Sequence, residues 1–128
     1  MTIEEIMQGE SKHMEYKAAL PKRSETYIKT MIAFTNTSGG TLIIRIDDSS
    51  RSEIGVDKDS VFQNIDSIAN AVSDSCEPQI VPDISFQTIE GKCIVIVEIY
   101  AGTNRPYYLK HTGKENGTYI RVAGTSRQ

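Results

Sequence analysis

Ala33-Phe34-Thr35-Asn36-Thr37-Ser38-Gly39-Gly40-Thr41-Leu42-Ile43-Ile44-Arg45-Ile46-Asp47-Asp48 is the stretch on which the reading of this chain turns. Glycine takes the left-handed conformation at little cost, so Gly39-Gly40 predicts the end of a helix. The aliphatic run that follows predicts a buried strand over Thr41–Ile46. On that strand Leu42, Ile44 and Ile46 face one way, and Ile43, Arg45 and Asp47 face the other. The order helix, glycine pair, strand is the reverse of a phosphate-binding loop. Such a loop leads from a strand into a helix, so that helix amides meet the anion. The GxxxxGK[ST] pattern is missing as well. Capping therefore explains these glycines better than nucleotide binding, and ATP is not the expected ligand.

Working outward, Ser24 suits the N-cap of the helix that Gly39-Gly40 ends. Ile28, Met31, Ile32 and Thr35 lie along one stripe of it, flanked by Tyr27 and Phe34. Upstream, His13 to Leu20 reads as a strand closed by Pro21, and Ile3, Ile6 and Met7 have the spacing of a short leading helix that Gly9 ends. Downstream, Asp48 to Asp57 is a polar turn region, and Asp57 or Asp59 caps a second helix. Val61, Ile65, Ile68 and Val72 recur on that helix at three and four residues, with Phe62 and Ala69 beside them; Pro78 and Pro82 stop it. Ile84 to Ile89 and Cys93 to Ile99 predict a hairpin around Glu90-Gly91. Tyr107 to Lys110 and Thr118 to Val122 predict another across a glycine-containing loop. The expected fold is α+β: a mixed β-sheet of about five to six strands with two main helices packed on one face, forming a single domain over residues 1–128.

The chain has 128 residues, enough for one domain with one core. No apolar run approaches the ~20 residues of a membrane span, and the acidic start lacks the basic and apolar regions of a signal peptide. Cys76 and Cys93 have no CxxC spacing and no histidine at ligand distance in sequence. They read as reduced, buried thiols of a cytoplasmic protein. The net charge of −3 is unevenly spread: residues 1–45 carry +1, residues 46–98 carry −8 and residues 99–128 carry +4. An acidic middle argues against nucleic acid wrapped all round. A one-sided basic surface built from the two ends stays compatible with the sequence.

Glu10, Glu15, Asp47 and Asp48 are the residues best suited to chemistry. Hard divalent cations take oxygen ligands, and carboxylates from separate segments can hold Mg²⁺ or Mn²⁺. A metal held this way can activate water for phosphodiester cleavage. The same acids also fit a solvated surface, because a five-residue separation on a regular strand puts Glu10 and Glu15 on opposite faces. Lys12, Lys17, Lys22, Arg23, Arg45, Arg105, Lys110, Arg121 and Arg127 are interleaved with Tyr16, Tyr107, Tyr108 and Tyr119. That pattern suits phosphate contact with base stacking, and equally suits strands with one wet face. His13 and His111 are single. No GxSxG and no Ser-His-Asp pattern is present.

These motifs together resemble the Schlafen-type AlbA-like domain, a family also described as divergent AAA-type or ATP-binding. The residues that carry the resemblance are Gly9-Glu10-Ser11 with Glu15-Tyr16-Lys17, the block Ala33 to Thr41, and the strand Leu42 to Asp48 with its double acid. They continue with Ile54-Gly55-Val56, Pro78 to Pro82, Pro106 to Lys110, and Tyr119 to Arg127. One departure is Arg45, where the family usually has glycine. The resemblance implies a cytoplasmic domain at the N-terminus of a bacterial transcriptional regulator, binding DNA or RNA and forming a homodimer. Of the basic residues, Lys17, Arg45, Lys110, Arg121 and Arg127 are the ones expected to contact phosphates. The second implication of the resemblance is a metal-dependent endoribonuclease, with Glu10, Glu15 and Asp48, or Asp47 in its place, holding Mg²⁺ or Mn²⁺. A third reading is a dimerisation or ligand-sensing module, nucleotide binding included, without a nucleic-acid role.

Overall fold

The computed structural model describes residues 12–46, 58–89 and 92–128. Its centre is a mixed four-stranded sheet of order β1-β2-β5-β4: β1 Met14–Lys17, β2 Gly40–Ile46, β4 Asp83–Ile89 and β5 Lys92–Ile99. β1 and β2 run parallel, so the chain between them must cross over, and it does so as helix α1, Glu25–Thr35. β2 and β5 are antiparallel over seven registered pairs, as are β5 and β4. The second helix, α2, spans Lys58–Ser75. Two two-stranded sheets complete the fold. One pairs β3, Cys76–Glu77, with β6, Tyr108–Leu109; the other pairs β7, Ile120–Val122, with β8, Thr125–Arg127. A short helix α3, Gly113–Gly117, precedes β7.

Alternation along β2 builds two apolar clusters. Leu42, Ile44 and Ile46 pack with Val95 and Val97 of β5 beneath Ile28, Met31 and Ile32 of α1 and Val61, Ile68 and Val72 of α2. Both long helices therefore cover one face of the sheet, as the α+β expectation required. Ile43, Ile94 and Ile96, with Met14 and Tyr16 against them, make a smaller cluster on the other face. Phe62 and Ala69, which flank the stripe of α2, are exposed, whereas Cys76 and Cys93 are buried and unpaired. Burial pushes the Cys76 thiol up to about 12, against the opposing charge of Lys110, and raises the Cys93 thiol too.

Gly39 ends α1 as predicted. Its φ is +83° and its N–H donates to the Phe34 carbonyl at 2.8 Å, satisfying one of the orphan groups of the helix end. Gly40 is required for a different reason: a Cβ there would lie 2.5 Å from the Phe34 ring. Ser24 occupies the N-cap position, but its hydroxyl makes no capping bond and its backbone is already helical. The predicted hairpin of Tyr107–Lys110 with Thr118–Val122 is replaced by a different pairing. Only an isolated bridge joins Tyr108 to Thr118; Tyr108–Leu109 pairs with Cys76–Glu77, and Ile120–Val122 folds back on Thr125–Arg127. The physical reason is the tight Ala123-Gly124 turn, which brings the last strand directly against its predecessor. The leading helix, Gly9, the turn region Asp48 to Asp57 and the Glu90-Gly91 turn lie outside the described residues.

Candidate functional site

Glu15 is the best-defined charged centre. β1 sets it on the helix-covered face, because it registers with Leu42 of the main core. There it is buried, 7 % exposed. Thr30 of α1 donates its hydroxyl to Glu15 Oε2 at 2.6 Å, and Arg121 Nη1 of β7 donates to Oε1 at 2.8 Å. Lys17 Nζ lies 3.4 Å from Oε2. Burial alone would raise this carboxyl. The hydrogen bonds from Thr30 and Arg121, with the charges of Lys17 and Arg121, outweigh it and hold the group below its ordinary value. Glu15 is thus a charged acceptor with both oxygens engaged.

Arg121 is equally committed. Beyond Glu15, its Nη1 donates to Ser126 Oγ at 3.1 Å and its Nη2 to the Met14 carbonyl at 3.0 Å. Its guanidinium also stacks 4.9 Å from the Phe34 ring centroid. One side chain therefore ties β1, α1, β7 and β8 together. A guanidinium this closed off works inside the fold, and a phosphate could reach it only through rearrangement.

The other predicted cations divide by face. Lys17 shares the helix-covered face with Glu15. Arg45 registers with Ile94 on the opposite face. Lys110 and Arg127 are exposed on the C-terminal layer, the segment after β5 that carries β6, α3, β7 and β8. Arg127 registers with Ile120 on the outer side of the β7–β8 hairpin, the reverse of Arg121. The five residues thus do not share one surface: Lys110 and Arg127 lie on the C-terminal layer, Lys17 and Arg45 on opposite faces of the sheet, and Arg121 inside. Glu10, Asp47 and Asp48 lie outside the described residues, and among the described residues no group of three or more His, Cys, Asp or Glu side chains gathers at metal-binding distance.

The C-terminal layer is held by a residue that sequence reasoning placed only in a helix-ending loop. Asn36 Nδ2 donates to the carbonyls of Tyr107 and Tyr119, both at 2.9 Å, and its Oδ1 accepts from Tyr107 N at 2.7 Å. Thr35 Oγ1 donates to the Tyr100 carbonyl at 2.9 Å, and Gly102 N donates to the Thr35 carbonyl at 2.8 Å. Partners about 65–83 positions away leave no local periodicity, so the only sequence signal was an asparagine next to a helix stop. Between α1 and this layer, Lys29 sits 5.4 Å from the ring centroid of the buried Tyr119, and His111 Nε2 lies 3.7 Å from Glu25. Lys110, Lys114 and Arg127 surround these groups in sequence, all exposed.

The glycine pair opens on a shallow cleft of about 270 Å³ lined by His13, Ser38 to Thr41, Glu98, Ile99 and Tyr100. It faces the carbonyl end of α1, and Glu98 adds a carboxylate. Both disfavour a phosphate. Tyr100 donates its hydroxyl to Asp83 at 2.5 Å, and that bond, with the neighbouring carboxylates, pushes the phenol up to about 12.

Comparison with known proteins agrees with this architecture. The chain is 44% identical over 73 residues to an uncharacterised ATP-binding protein of Ureaplasma parvum, covering 52% of this chain and 20% of that protein. A crystal structure from Corynebacterium diphtheriae superposes with a TM-score of 0.61 at 17% identity, covering 91% of this chain and 24% of the other. The solution structure of the N-terminal domain of a Nitrosomonas europaea protein, named as related to the ATP-dependent DNA helicase RecG, matches with a TM-score of 0.58 at 25% identity. That match covers 90% of this chain and 80% of the other. The family described as Schlafen, AlbA_2 matches from residue 10 to residue 128, a span that takes in every strand and helix given above, and the chain belongs to that family.

Proposed function

We propose that this domain binds nucleic acid through the basic outer surface of its C-terminal layer, as one module of a larger bacterial transcriptional regulator. The observation that carries the reading is the exposure of Lys110, Lys114 and Arg127 on a segment of net charge +4, fixed against the end of α1 by Asn36 and against β1 and Phe34 by Arg121. Cations on a rigid support can contact backbone phosphates with no backbone ordering cost, whereas the acidic middle of the chain keeps nucleic acid from wrapping all round. The DNA-helicase relationship in the name of the Nitrosomonas protein supports the same class of ligand. Lys17 and Arg45 would add contacts only to a strand passing over a sheet face. Arg121 acts as a positioning residue.

The ATP-binding name of the Ureaplasma relative raises a nucleotide as the alternative ligand. The helix-to-strand order and the carboxylate-lined cleft at Gly39-Gly40 give it no phosphate cradle at that loop.

The test is a binding titration against duplex DNA and single-stranded RNA over a range of salt. Lys110→Ala and Arg127→Ala should each weaken binding at all sequences and lower the salt slope by roughly one unit. Unchanged slopes in both would overturn the reading. The same incubations with Mn²⁺ and with EDTA separate binding from hydrolysis. Metal-dependent cleavage that disappears in Glu10→Gln and Asp48→Asn would replace the proposal with an endoribonuclease.

A further inference from the structure

β4 is a terminal strand of the main sheet, seven residues long, and it pairs on one side only among the described strands. The opposite terminal strand, β1, has four residues. An open edge presents a row of backbone donors and acceptors to any extended partner, and proteins usually blunt such edges with lysine, proline or a bulge. β4 reads Asp83-Ile84-Ser85-Phe86-Gln87-Thr88-Ile89. It holds no lysine and no proline, and its register with β5 runs without interruption from Asp83 to Ile89. Asp83, Ser85, Phe86 and Thr88 are exposed. Beside the edge, Phe86 is 38 % exposed and Phe62 of α2 is 51 % exposed, the two rings meeting edge to face at 5.8 Å.

We infer that the β4 edge is a homodimer interface, formed by antiparallel pairing of β4 with β4 of a second copy about a two-fold axis at Phe86. The argument for a second copy is self-complementarity. Phe86 is the middle residue of the strand, so this register sets it opposite itself, with Ser85 opposite Gln87. The only charge on the strand, Asp83, then lies at opposite ends of the pair, opposite position 89, and meets no like charge. Registered residues share a face, so both Phe86 rings fall on the helix-covered side, each next to its own Phe62. The main sheet would run unbroken through both copies, and the patch would be the same on each, as an isologous interface requires.

The experiment measures mass in solution by sedimentation across about 1 to 200 μM, a range in which mass action resolves a micromolar dimer. The expected result is a concentration-dependent dimer. Phe86→Lys, which sets like charges face to face at the axis, should raise its dissociation constant at least about tenfold. Ile120→Lys and Val122→Lys, on the exposed face of the last hairpin, should leave it unchanged. The register has its own readout. Phe86→Cys should oxidise to a cross-linked dimer because antiparallel partners have Cα atoms about 4.5–5.5 Å apart, within disulfide reach, whereas Ser85→Cys should not. Circular dichroism on each variant confirms that the fold persists. A monomer throughout, or a dimer that Phe86→Lys spares and Ile120→Lys abolishes, overturns the inference.

Discussion

Arg121 Nη1 lies 2.8 Å from Glu15 Oε1, and the two side chains are 0 % and 9 % exposed. A desolvated ion pair is a poor stabiliser relative to apolar packing, but losing one partner leaves a charge stranded in the interior. Arg121→Met should therefore lower unfolding free energy by about 3–5 kcal/mol. The double variant Glu15→Gln with Arg121→Met should recover part of that loss. Urea denaturation of both, and of Glu15→Gln alone, monitored by circular dichroism, checks this; losses of the two single variants that simply add in the double variant would show that the pair is not coupled.

The same carboxyl gives stability an acid limb. Its value is depressed in the folded state, so its contribution is complete above the ordinary glutamate value of 4.5 and disappears as pH falls through the lower folded value. Melting temperature should therefore drop below about pH 4.5, and the drop should be shallower in Glu15→Gln, which cannot titrate. A parallel acid limb in the variant would assign the transition to other carboxylates.

Asn36 exchanges three side-chain hydrogen bonds with Tyr107 and Tyr119. Asn36→Ala leaves those backbone groups without their partner, at a cost of about 2–3 kcal/mol. The loss should concentrate in the C-terminal layer, seen as faster amide exchange over residues 105–120 than in the sheet. Uniform acceleration over the whole chain would mean that the clamp supports global rather than local stability.

Gly40→Ala should destabilise through overpacking, by about 1–3 kcal/mol, because the new methyl meets the Phe34 ring. Adding Phe34→Leu should relieve the clash, although it also strips the ring from beneath Arg121. Thermal melts of the single and double variants test this. An unchanged melting temperature in Gly40→Ala would show that Phe34 moves aside without cost.

The parts of the fold that the sequence disclosed are those whose pattern repeats. The stripe Val61, Ile68 and Val72, the alternation Leu42-Ile43-Ile44, and the glycine pair after α1 each repeat or punctuate over several residues, and each was found where expected. β3 and β6 are two residues each, too short for any period, so their pairing was illegible. The site divides in the same way. Glu15 and Arg121 were singled out by type and motif, yet their mutual bond spans 106 positions, and no local rule reports whether an arginine points out to solvent or in toward a carboxylate. Lys17 and Arg45 show the limit of parity: counting by twos assigned Arg45 to its face of β2, but the relative phase of β1 and β2 became known only from their register.

The bond between positions 15 and 121 also has a consequence for how the chain is made. On the ribosome, Glu15 emerges more than a hundred residues before its guanidinium partner. Until then, only Thr30 and Lys17 among the folded-state partners of that carboxylate given above have been made, and water holds the place of the guanidinium. Burial of the first strand's carboxylate is therefore completed only when the last hairpin packs against it.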